Sequence, residues 1–425
     1  MFRGLALRVS WLVLLWLCSC DRRDASGSEP LQAERQRPLT PVSFERTPER
    51  VERGRYLADA VIGCVLCHSE RDTSLPGAPP RAGREYGGSI LEESPGYRMV
   101  APNISPDPET GAGTWTDDMF ARAIREGVGH DGRGLGLPMW WWSFRSLDDE
   151  DLQSIVVYLR SRPPVRNPLP KRILNAEQER ERAAAAQPLT SAQPTKSRED
   201  PVQRGIYLIS VADCMGCHSA WEAKINAGAF AGGNAIRLAG EVTFSANITP
   251  DPSAIGAWTA ELFTQVIRSG KSGTLRPVMP WAAYRNMSDE DLRAIFLALR
   301  EVAPVRHFVS NLASPTACVV CGQTHGSGDM NTVPVIERVE DDRGPLDRYA
   351  GRYRIETDDV VIEHHNGVLF ASLDGTPAVE LIPTVGGRFA GRGLPSALAF
   401  EHDETGRVTA MLSYELGTTR WARDP

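Results

Sequence analysis

Two five-residue frames contain the residue types best suited to chemistry: CVLCH at 64–68 and CMGCH at 214–218. On a helix, positions i, i+3 and i+4 share one face. The two thiols of a frame can therefore add to both vinyl groups of one heme, while the imidazole binds the iron from the same side. A disulfide, a redox dithiol or half of a zinc site would use the two cysteines but would not require the following histidine. The frames predict two covalently bound c-type hemes on Cys64, Cys67, Cys214 and Cys217, with His68 and His218 as iron ligands.

Both frames lie inside a repeat of a whole domain. RGRYL before the first frame returns as RGIYL before the second, NISPDP returns as NITPDP, and DEDL recurs unchanged in the same order. Ordered recurrence of this kind indicates two copies of one domain. We place the first copy at 51–170, a linker at 171–200 and the second copy at 201–310.

Helices must position these frames. Thr116 and Thr259 are predicted N-caps, and apolar residues at i, i+3, i+4 and i+7 after each DEDL predict a buried helix face. Gly54 and Gly205 lie on the helices that lead into the frames. The missing side chain would let the first and last helices of each copy cross closely.

A sixth iron ligand has to come from another part of each copy. Met139 and Met279 occupy the aligned loop between two predicted helices, next to tryptophan and proline. A methionine more commonly fills a gap in a core, but its occurrence at the aligned position in both copies favours ligation. His130 is a rival sixth ligand for the first heme and has no counterpart in the second copy.

The region from Glu52 to Val305 resembles the multiheme cytochrome c subunits of membrane-associated alcohol and gluconate dehydrogenases. The resemblance rests on the NI[ST]PDP…W[ST] segments, the distal Pro-x-Met-Pro loop and the DEDL helix starts. It implies two all-α, class I-like cytochrome c domains with Met139 and Met279 as the distal ligands. The familiar subunits have three heme domains and a membrane-anchoring tail, and Trp140 stands here where their pattern has proline.

An iron held by histidine and methionine has no vacant position, so its natural task is outer-sphere electron transfer. The expected donor is an exported dehydrogenase, and the acceptor is another cytochrome, a quinone-linked complex or an oxidase. The alternative is a diheme enzyme of the peroxidase or thiosulfate dehydrogenase type, with one ligand-switchable heme. The formal charge of −7 argues against a nucleic-acid partner.

The N-terminus predicts export. Residues 1–20 combine two arginines with a short apolar run and end in a lipobox-like LCSC, which predicts lipidation of Cys20 and a periplasmic protein anchored to the membrane by lipid. A plain signal peptide is the alternative. The polar segment 21–50 predicts a flexible stalk.

The C-terminal quarter of the chain has a different residue pattern. In the connector, 311–344, Cys318 and Cys321 lack a following histidine, so a local disulfide is predicted. A metal site using His325 or His307, or a redox dithiol, is the alternative. From 345 to 425, short β-like runs separated by turn residues predict an antiparallel barrel or sandwich. This part loosely resembles the lipocalin-like domain appended to some β-lactamase-related hydrolases.

Overall fold

The computed structural model describes residues 35–424 except 76–77, 197, 220–227, 239–240, 271–278, 334, 341–343, 356–357, 374–377, 392–393, 395–396 and 415. The predicted signal sequence, Cys20 and the first part of the predicted stalk lie outside the described residues. Part of the second distal loop, 277–278, also lies outside them.

The two copies of the repeat have matching helices. The first contains α1 (Pro48–Tyr56), a π-helical turn (Leu57–Val61), α2 (Cys64–Cys67), α3 (Asp117–Glu126), α4 (Trp141–Phe144) and α5 (Asp149–Ser161). The linker contains α6 (Ala176–Ala185). The second copy contains α7 (Pro201–Val211), α8 (Cys214–His218), α9 (Ala260–Ser269), α10 (Trp281–Tyr284) and α11 (Asp289–Arg300).

The predicted helix signals are confirmed. The hydroxyl of Thr116 accepts a hydrogen bond from the backbone N–H of Met119, and that of Thr259 accepts one from Leu262, each at 3.2 Å. The apolar stripes of α5 and α11 are buried. A Cβ on Gly54 would lie 1.9 Å from the carbonyl oxygen of Ser154, so α1 and α5 touch backbone to backbone as predicted.

Each repeat also contains a β-hairpin that the all-α prediction missed. The first is formed by β1 (Ser89–Ser94) and β2 (Tyr97–Ala101), and the second by β3 (Ala235–Leu238) and β4 (Glu241–Phe244). Strand β1 is largely exposed, and its sequence SILEES lacks the alternation of apolar and polar residues that identifies a strand. Both hairpins lie directly before the NI[ST]PDP segments.

The two repeats share one hydrophobic core and exchange equivalent contacts. The hydroxyl of Tyr207 in the second repeat donates to a carboxylate oxygen of Asp151 in the first at 2.7 Å. Tyr56, the equivalent tyrosine of the first repeat, donates to Asp291 of the second. Each tyrosine therefore binds the DEDL helix of the other copy.

The segment before the first repeat is fastened to it. Arg37 forms ion pairs with Asp118 and Glu126 at 2.6 and 2.8 Å, and the backbone N–H of Phe44 donates to Asp117. The described part of 21–50 therefore lies along the first repeat, unlike the flexible stalk that its composition suggested. Acidic residues at the start and end of α3 supply these contacts.

The linker also contacts the first repeat. Helix α6 begins with a capping box formed by Asn175 and Gln178. Its residue Arg182 is buried and donates to the carbonyl of Leu137, two residues before Met139.

The C-terminal part forms a closed antiparallel barrel, which confirms the barrel alternative of the prediction. Its eight strands are β7 (Gly351–Ile355), β8 (Asp358–His365), β9 (Val368–Leu373), β10 (Val379–Thr384), β11 (Arg388–Ala390), β12 (Leu398–His402), β13 (Val408–Ser413) and β14 (Thr419–Arg423). Neighbouring strands follow the order β10-β11-β12-β13-β14-β7-β8-β9 around the barrel. Aromatic side chains fill its interior, with the rings of Tyr349 and Phe400 stacked at 4.5 Å.

The connector between the second repeat and the barrel forms a further hairpin, β5 (Ser310–Ala317) and β6 (Thr324–Gly326). The barrel itself contacts the second repeat, because Leu416 packs against the shared core. None of the helices within the described ranges is both long and apolar enough to cross a bilayer.

Candidate heme sites

Each Cys-x-x-Cys-His frame forms a single helical turn after a left-handed residue. Gly63 (φ +73°) precedes Cys64, and Asp213 (φ +55°) precedes Cys214. The left-handed residue separates this turn from the helix that precedes it. Both thiols and the imidazole therefore lie together on a separate short helix or directly after it. Apolar surroundings raise the pKa of the Cys64 and Cys214 thiols to about 12.

Both frame histidines are oriented by a backbone carbonyl. Nδ1 of His68 lies 2.9 Å from the carbonyl oxygen of Pro102, and Nδ1 of His218 lies 2.6 Å from that of Ala246. A carbonyl can only accept, so Nδ1 carries the proton and Nε2 keeps its lone pair for a metal. Burial lowers the pKa of both imidazoles, and the hydrogen bond to the carbonyl opposes this in part.

The orienting carbonyls explain the repeated NI[ST]PDP segments. Asn103 follows Pro102, and its side-chain amide donates to the carbonyl of Val165 at 2.7 Å, while Asn247 makes the same bond to Val305 at 2.7 Å. The segment is thereby fixed to the chain that follows the last helix of its repeat. Sequence reasoning identified the motif but missed this role, although its recurrence after each frame was a usable signal.

The candidate distal residues lie in the same core as the frames. Met139 and Met279 are half-buried and pack against the shared hydrophobic cluster, as do Cys64 and Cys214. The backbone N–H of Met139 donates to the carbonyl of Gly136 at 3.0 Å, which closes a tight turn before α4.

The loop that contains Met139 is held by a hydrogen bond from Trp141. Trp141 is buried and donates from its indole N–H to the carbonyl of Leu135 at 3.1 Å. A Cβ on Gly127, the left-handed end of α3, would lie 2.5 Å from the indole ring of Trp141. Gly270 faces Trp281 in the same way in the second repeat, at 3.2 Å.

His130, the rival ligand, makes a different contact. Its ring stacks on that of Trp115, with 4.3 Å between centroids and 15° between planes. Burial lowers the pKa of this imidazole, which favours the neutral form at pH 7. The stacked ring is part of the packing around the first distal loop.

The residue just before each Cys-x-x-Cys-His frame touches the short helix that follows the candidate methionine, Met139 or Met279, of the other repeat. Ser143 in α4 donates to the carboxylate of Asp213, immediately before Cys214. At the equivalent place on the other side, the Cβ of Ala283 in α10 would lie 3.4 Å from a Cβ on Gly63. The two candidate heme sites are therefore adjacent parts of one packed unit.

These observations fit a covalently attached heme in each repeat. Two neutral thiols on one turn, an imidazole with its Nε2 lone pair available and apolar walls are the groups that such a cofactor requires. Pro102 and Ala246 supply the hydrogen bond that metal-binding histidines usually make through their other ring nitrogen.

Comparison with known proteins finds similarity to cytochrome subunits of dehydrogenases. The chain is 28% identical to the fructose dehydrogenase cytochrome subunit of Gluconobacter japonicus over 318 residues, which cover 71% of this chain and 60% of that protein. It is 28% identical to the cytochrome c subunit of the quinone-type alcohol dehydrogenase of Gluconobacter oxydans over 280 residues, 60% of this chain and 55% of that protein.

A third relative is one of the subunits of nicotinate dehydrogenase from Pseudomonas putida, which is 32% identical over 189 residues, 43% of this chain and 15% of that protein. No protein-family model matches the chain. The chain spans between 15% and 60% of the length of these three relatives. The predicted resemblance to cytochrome c subunits of dehydrogenases is confirmed, and cytochrome c relatives imply covalently bound c-type heme.

Proposed function

We propose that the chain is an exported diheme c-type cytochrome that transfers electrons from a periplasmic dehydrogenase to the respiratory chain. Cys64, Cys67 and His68 would hold the first heme and Cys214, Cys217 and His218 the second. Met139 and Met279 would complete the two iron coordination shells. A c-type heme supplies one-electron redox chemistry at its iron.

The observation that carries this proposal is that both attachment frames belong to one hydrophobic core. A carrier that passes electrons between two cofactors needs them held close together by a rigid unit. The reciprocal contacts of Tyr56 and Tyr207, together with the Ser143–Asp213 bond, support such a unit. Two independent domains joined by a flexible linker would lack these contacts.

The environment of each frame supports a carrier rather than an enzyme. His68 and His218 are held in the tautomer that presents Nε2, and the half-buried thioethers of Met139 and Met279 are available as soft distal ligands. The hydrophobic cluster beside each frame would lower the exposure of a bound heme. A peroxidase or thiosulfate dehydrogenase would need an open or labile position at one iron, and the chain offers the same candidate ligand in both repeats.

The names of the relatives support a dehydrogenase as electron donor, since each of the three is named as part of a dehydrogenase. Another cytochrome, a quinone-linked complex or an oxidase would be the acceptor. The names of the cytochrome c relatives also support our assignment of a class I-like cytochrome c fold to both repeats. The filled interior of the barrel favours a role in docking a partner or covering the assembly over binding an apolar ligand.

The test of this function is heme reduction by candidate donors. Oxidised protein is mixed with periplasmic dehydrogenases, each with its substrate, and heme absorbance is followed. We expect substrate-dependent reduction of both hemes by one of them. If all fail while the protein itself turns over peroxide or thiosulfate, the enzyme alternative replaces the carrier.

Heme stoichiometry tests the two attachment sites. We expect two hemes per chain that acid and acetone do not extract, and one heme after Cys64→Ala with Cys67→Ala. Cys214→Ala with Cys217→Ala is the matched variant, because it removes the two thiols of the second frame and should likewise leave one heme. Retention of both hemes in the first variant would contradict the assignment.

The proposed periplasmic location includes an anchor at Cys20. The native protein should partition with membranes, and Cys20→Ser should release it or block its processing. Cys18→Ser is the control, because the neighbouring thiol is not the proposed lipidation site. Mature protein that begins well beyond Cys20 and carries no lipid would contradict the anchor.

A further inference from the structure

Four potential metal ligands meet where the connector packs against the second repeat, and none of them belongs to a Cys-x-x-Cys-His frame. The ligand atoms of His307, Cys318, Cys321 and His325 lie within 4.8 Å of one another, and all four residues are buried. Sγ of Cys318 is 3.4 Å from Nε2 of His307, and Sγ of Cys321 is 3.2 Å from Nε2 of His325. The disulfide predicted between the two cysteines is not formed, and each thiol lies next to an imidazole.

Both histidines point a lone pair at the thiols. Nδ1 of His307 lies 2.7 Å from the carbonyl oxygen of Ala231, and Nδ1 of His325 lies 2.9 Å from that of Gly326. Since carbonyls only accept, each Nδ1 is protonated and each Nε2 is an acceptor. Metal-binding histidines usually make this pair of contacts. Ligands at ~2.3 Å for sulfur and ~2.0 Å for nitrogen in a tetrahedron lie about 3.5 Å apart, close to the separations seen here.

The first repeat shows that the fold itself does not need an imidazole at this position. Asn167 is the residue equivalent to His307, because it lies two residues after Val165 as His307 lies two after Val305. Its side-chain amide donates to the carbonyl of Gly87 at 2.8 Å, as His307 Nδ1 does to Ala231. An amide meets this structural requirement, so the Nε2 of His307, which faces the Cys318 thiol, is not needed for the backbone contact.

The connector hairpin has too little core to fold by hydrophobic burial. Its own cluster of buried apolar residues consists of Cys318, Val320 and Cys321, and most of β5 is exposed. Segments of this size generally need a disulfide or a structural metal. The turn of Cys318 to Cys321 is already held by a hydrogen bond from the N–H of Gly322 to the carbonyl of Cys318 at 2.9 Å.

We propose that His307, Cys318, Cys321 and His325 bind one Zn²⁺ ion in a closed tetrahedral site. Two thiolates and two imidazoles are a donor set characteristic of structural zinc, and four protein ligands leave no position for a substrate. Binding replaces the protons of the two thiols, so one Zn²⁺ enters and two protons leave without any change in oxidation state.

The zinc site fastens the connector to the second heme-binding repeat. Gly233 lies against it, since a Cβ there would be 2.8 Å from Cε1 of His307 and 3.0 Å from Cβ of Cys321. The next residue, Asn234, donates from its side chain to the carbonyl of Cys217 at 2.8 Å. The residue that touches the zinc ligands is therefore followed directly by one whose side chain holds the second attachment frame.

Elemental analysis of the full-length holoprotein tests the proposal. We expect one zinc per two irons, with a zinc K-edge absorption spectrum that fits two sulfur and two nitrogen neighbours. Cys318→Ser should lower the zinc content at least tenfold. His307→Asn reproduces the residue of the first repeat, so it should keep the fold and both hemes while weakening zinc binding at least tenfold in competition with a chelator.

His365→Asn is the matched control, since this exposed histidine lies outside the cluster, and its zinc content should not change. A Cys318–Cys321 disulfide in the purified protein, seen as a mass two hydrogens lower with two irons but no zinc, would overturn the proposal. Zinc that persists in both Cys318→Ser and His307→Asn would overturn it as well, because the metal would then be bound elsewhere.

Discussion

The two repeats have the same internal framework and different external supports. Each repeat has a glycine where two helices cross, and an asparagine next to the carbonyl that orients the histidine. The histidine directly follows a one-turn helix in the first repeat and is the last residue of that helix in the second. Outside, the first repeat is bound by the ion pairs of Arg37 and by helix α6, and the second by the connector and the barrel. The shared features are those that a frame for heme attachment requires, while the supports have diverged.

The contact between the repeats shows the same divergence on a smaller scale. On one side Ser143 meets the carboxylate of Asp213, and on the other the equivalent Ala283 meets Gly63. A polar pair on one side is matched by a small apolar pair on the other, so the interface tolerates different chemistry at equivalent positions.

The reciprocal tyrosines differ in burial. Tyr207 is buried against Asp151, which also binds Arg53 and Arg198, whereas Tyr56 is half-buried. The two equivalent hydrogen bonds should therefore contribute unequally to stability, because water can reach one of them and not the other.

The largest expected effect is at the shared helix crossing. Gly54→Ala and Gly205→Ala place a Cβ 1.9 and 2.0 Å from a carbonyl oxygen, so the helices must separate. Each should lower the free energy of unfolding by about 3 kcal/mol or more, measured by denaturant titration of the holoprotein. Glu52→Ala, at an exposed position of α1, is the control and should change it little. Equal stability of the glycine variants and the control would mean that the crossing is looser than described.

A smaller effect is expected at the two tyrosines. Tyr207→Phe removes a donor from the buried carboxylate of Asp151 and should cost about 2 kcal/mol of unfolding free energy. Tyr56→Phe should cost about 1 kcal/mol, because its hydroxyl is less buried and water can replace it. Both variants should keep two hemes. A larger loss for Tyr56→Phe than for Tyr207→Phe would reverse the ranking of the two contacts.

The smallest effect concerns the pair next to the frames. Ser143→Ala removes a hydrogen bond to Asp213, whose pKa burial already raises, and should cost about 1 kcal/mol. Ala283→Ser is the converse change, and it should also cost about 1 kcal/mol, because Ala283 is buried and Gly63 offers no carboxylate to accept from the new hydroxyl. Thermal unfolding of both variants measures these costs. A stabilising effect of Ser143→Ala would show that the polar pair is a net cost.

The sequence predicted those features that recur or have local signals. The frames, the threonine caps, the buried stripes of the last helices and the crossing glycines all follow from spacing and residue type. The sequence could not predict which carbonyl orients each histidine, because the bond from His68 to Pro102 joins segments 34 residues apart. Nor could it predict the contact of Tyr56 with Asp291, which depends on how the copies pack.

The misses have physical causes as well. Composition suggested a flexible stalk, but its charges meet oppositely charged residues of α3, a complementarity that a segment read alone does not reveal. The disulfide predicted between Cys318 and Cys321 rested on the oxidising compartment expected for an exported protein, and it gave less importance to the nearby histidines. His307 lies 11 residues before Cys318 in the chain, and only the fold brings it to the cluster.

We propose that histidine and methionine saturate both irons. The measurement that tests it most directly is the absorbance of the ferric protein in the far red, where a bound thioether gives a weak charge-transfer band, combined with exposure of the reduced protein to carbon monoxide. We expect the band at full intensity for two hemes and little carbon monoxide binding, with half of the band lost and one iron opened in Met139→Ala. Met119→Ala is the control and should keep both properties. A high-spin ferric heme or ready carbon monoxide binding in the unmodified protein would contradict the claim.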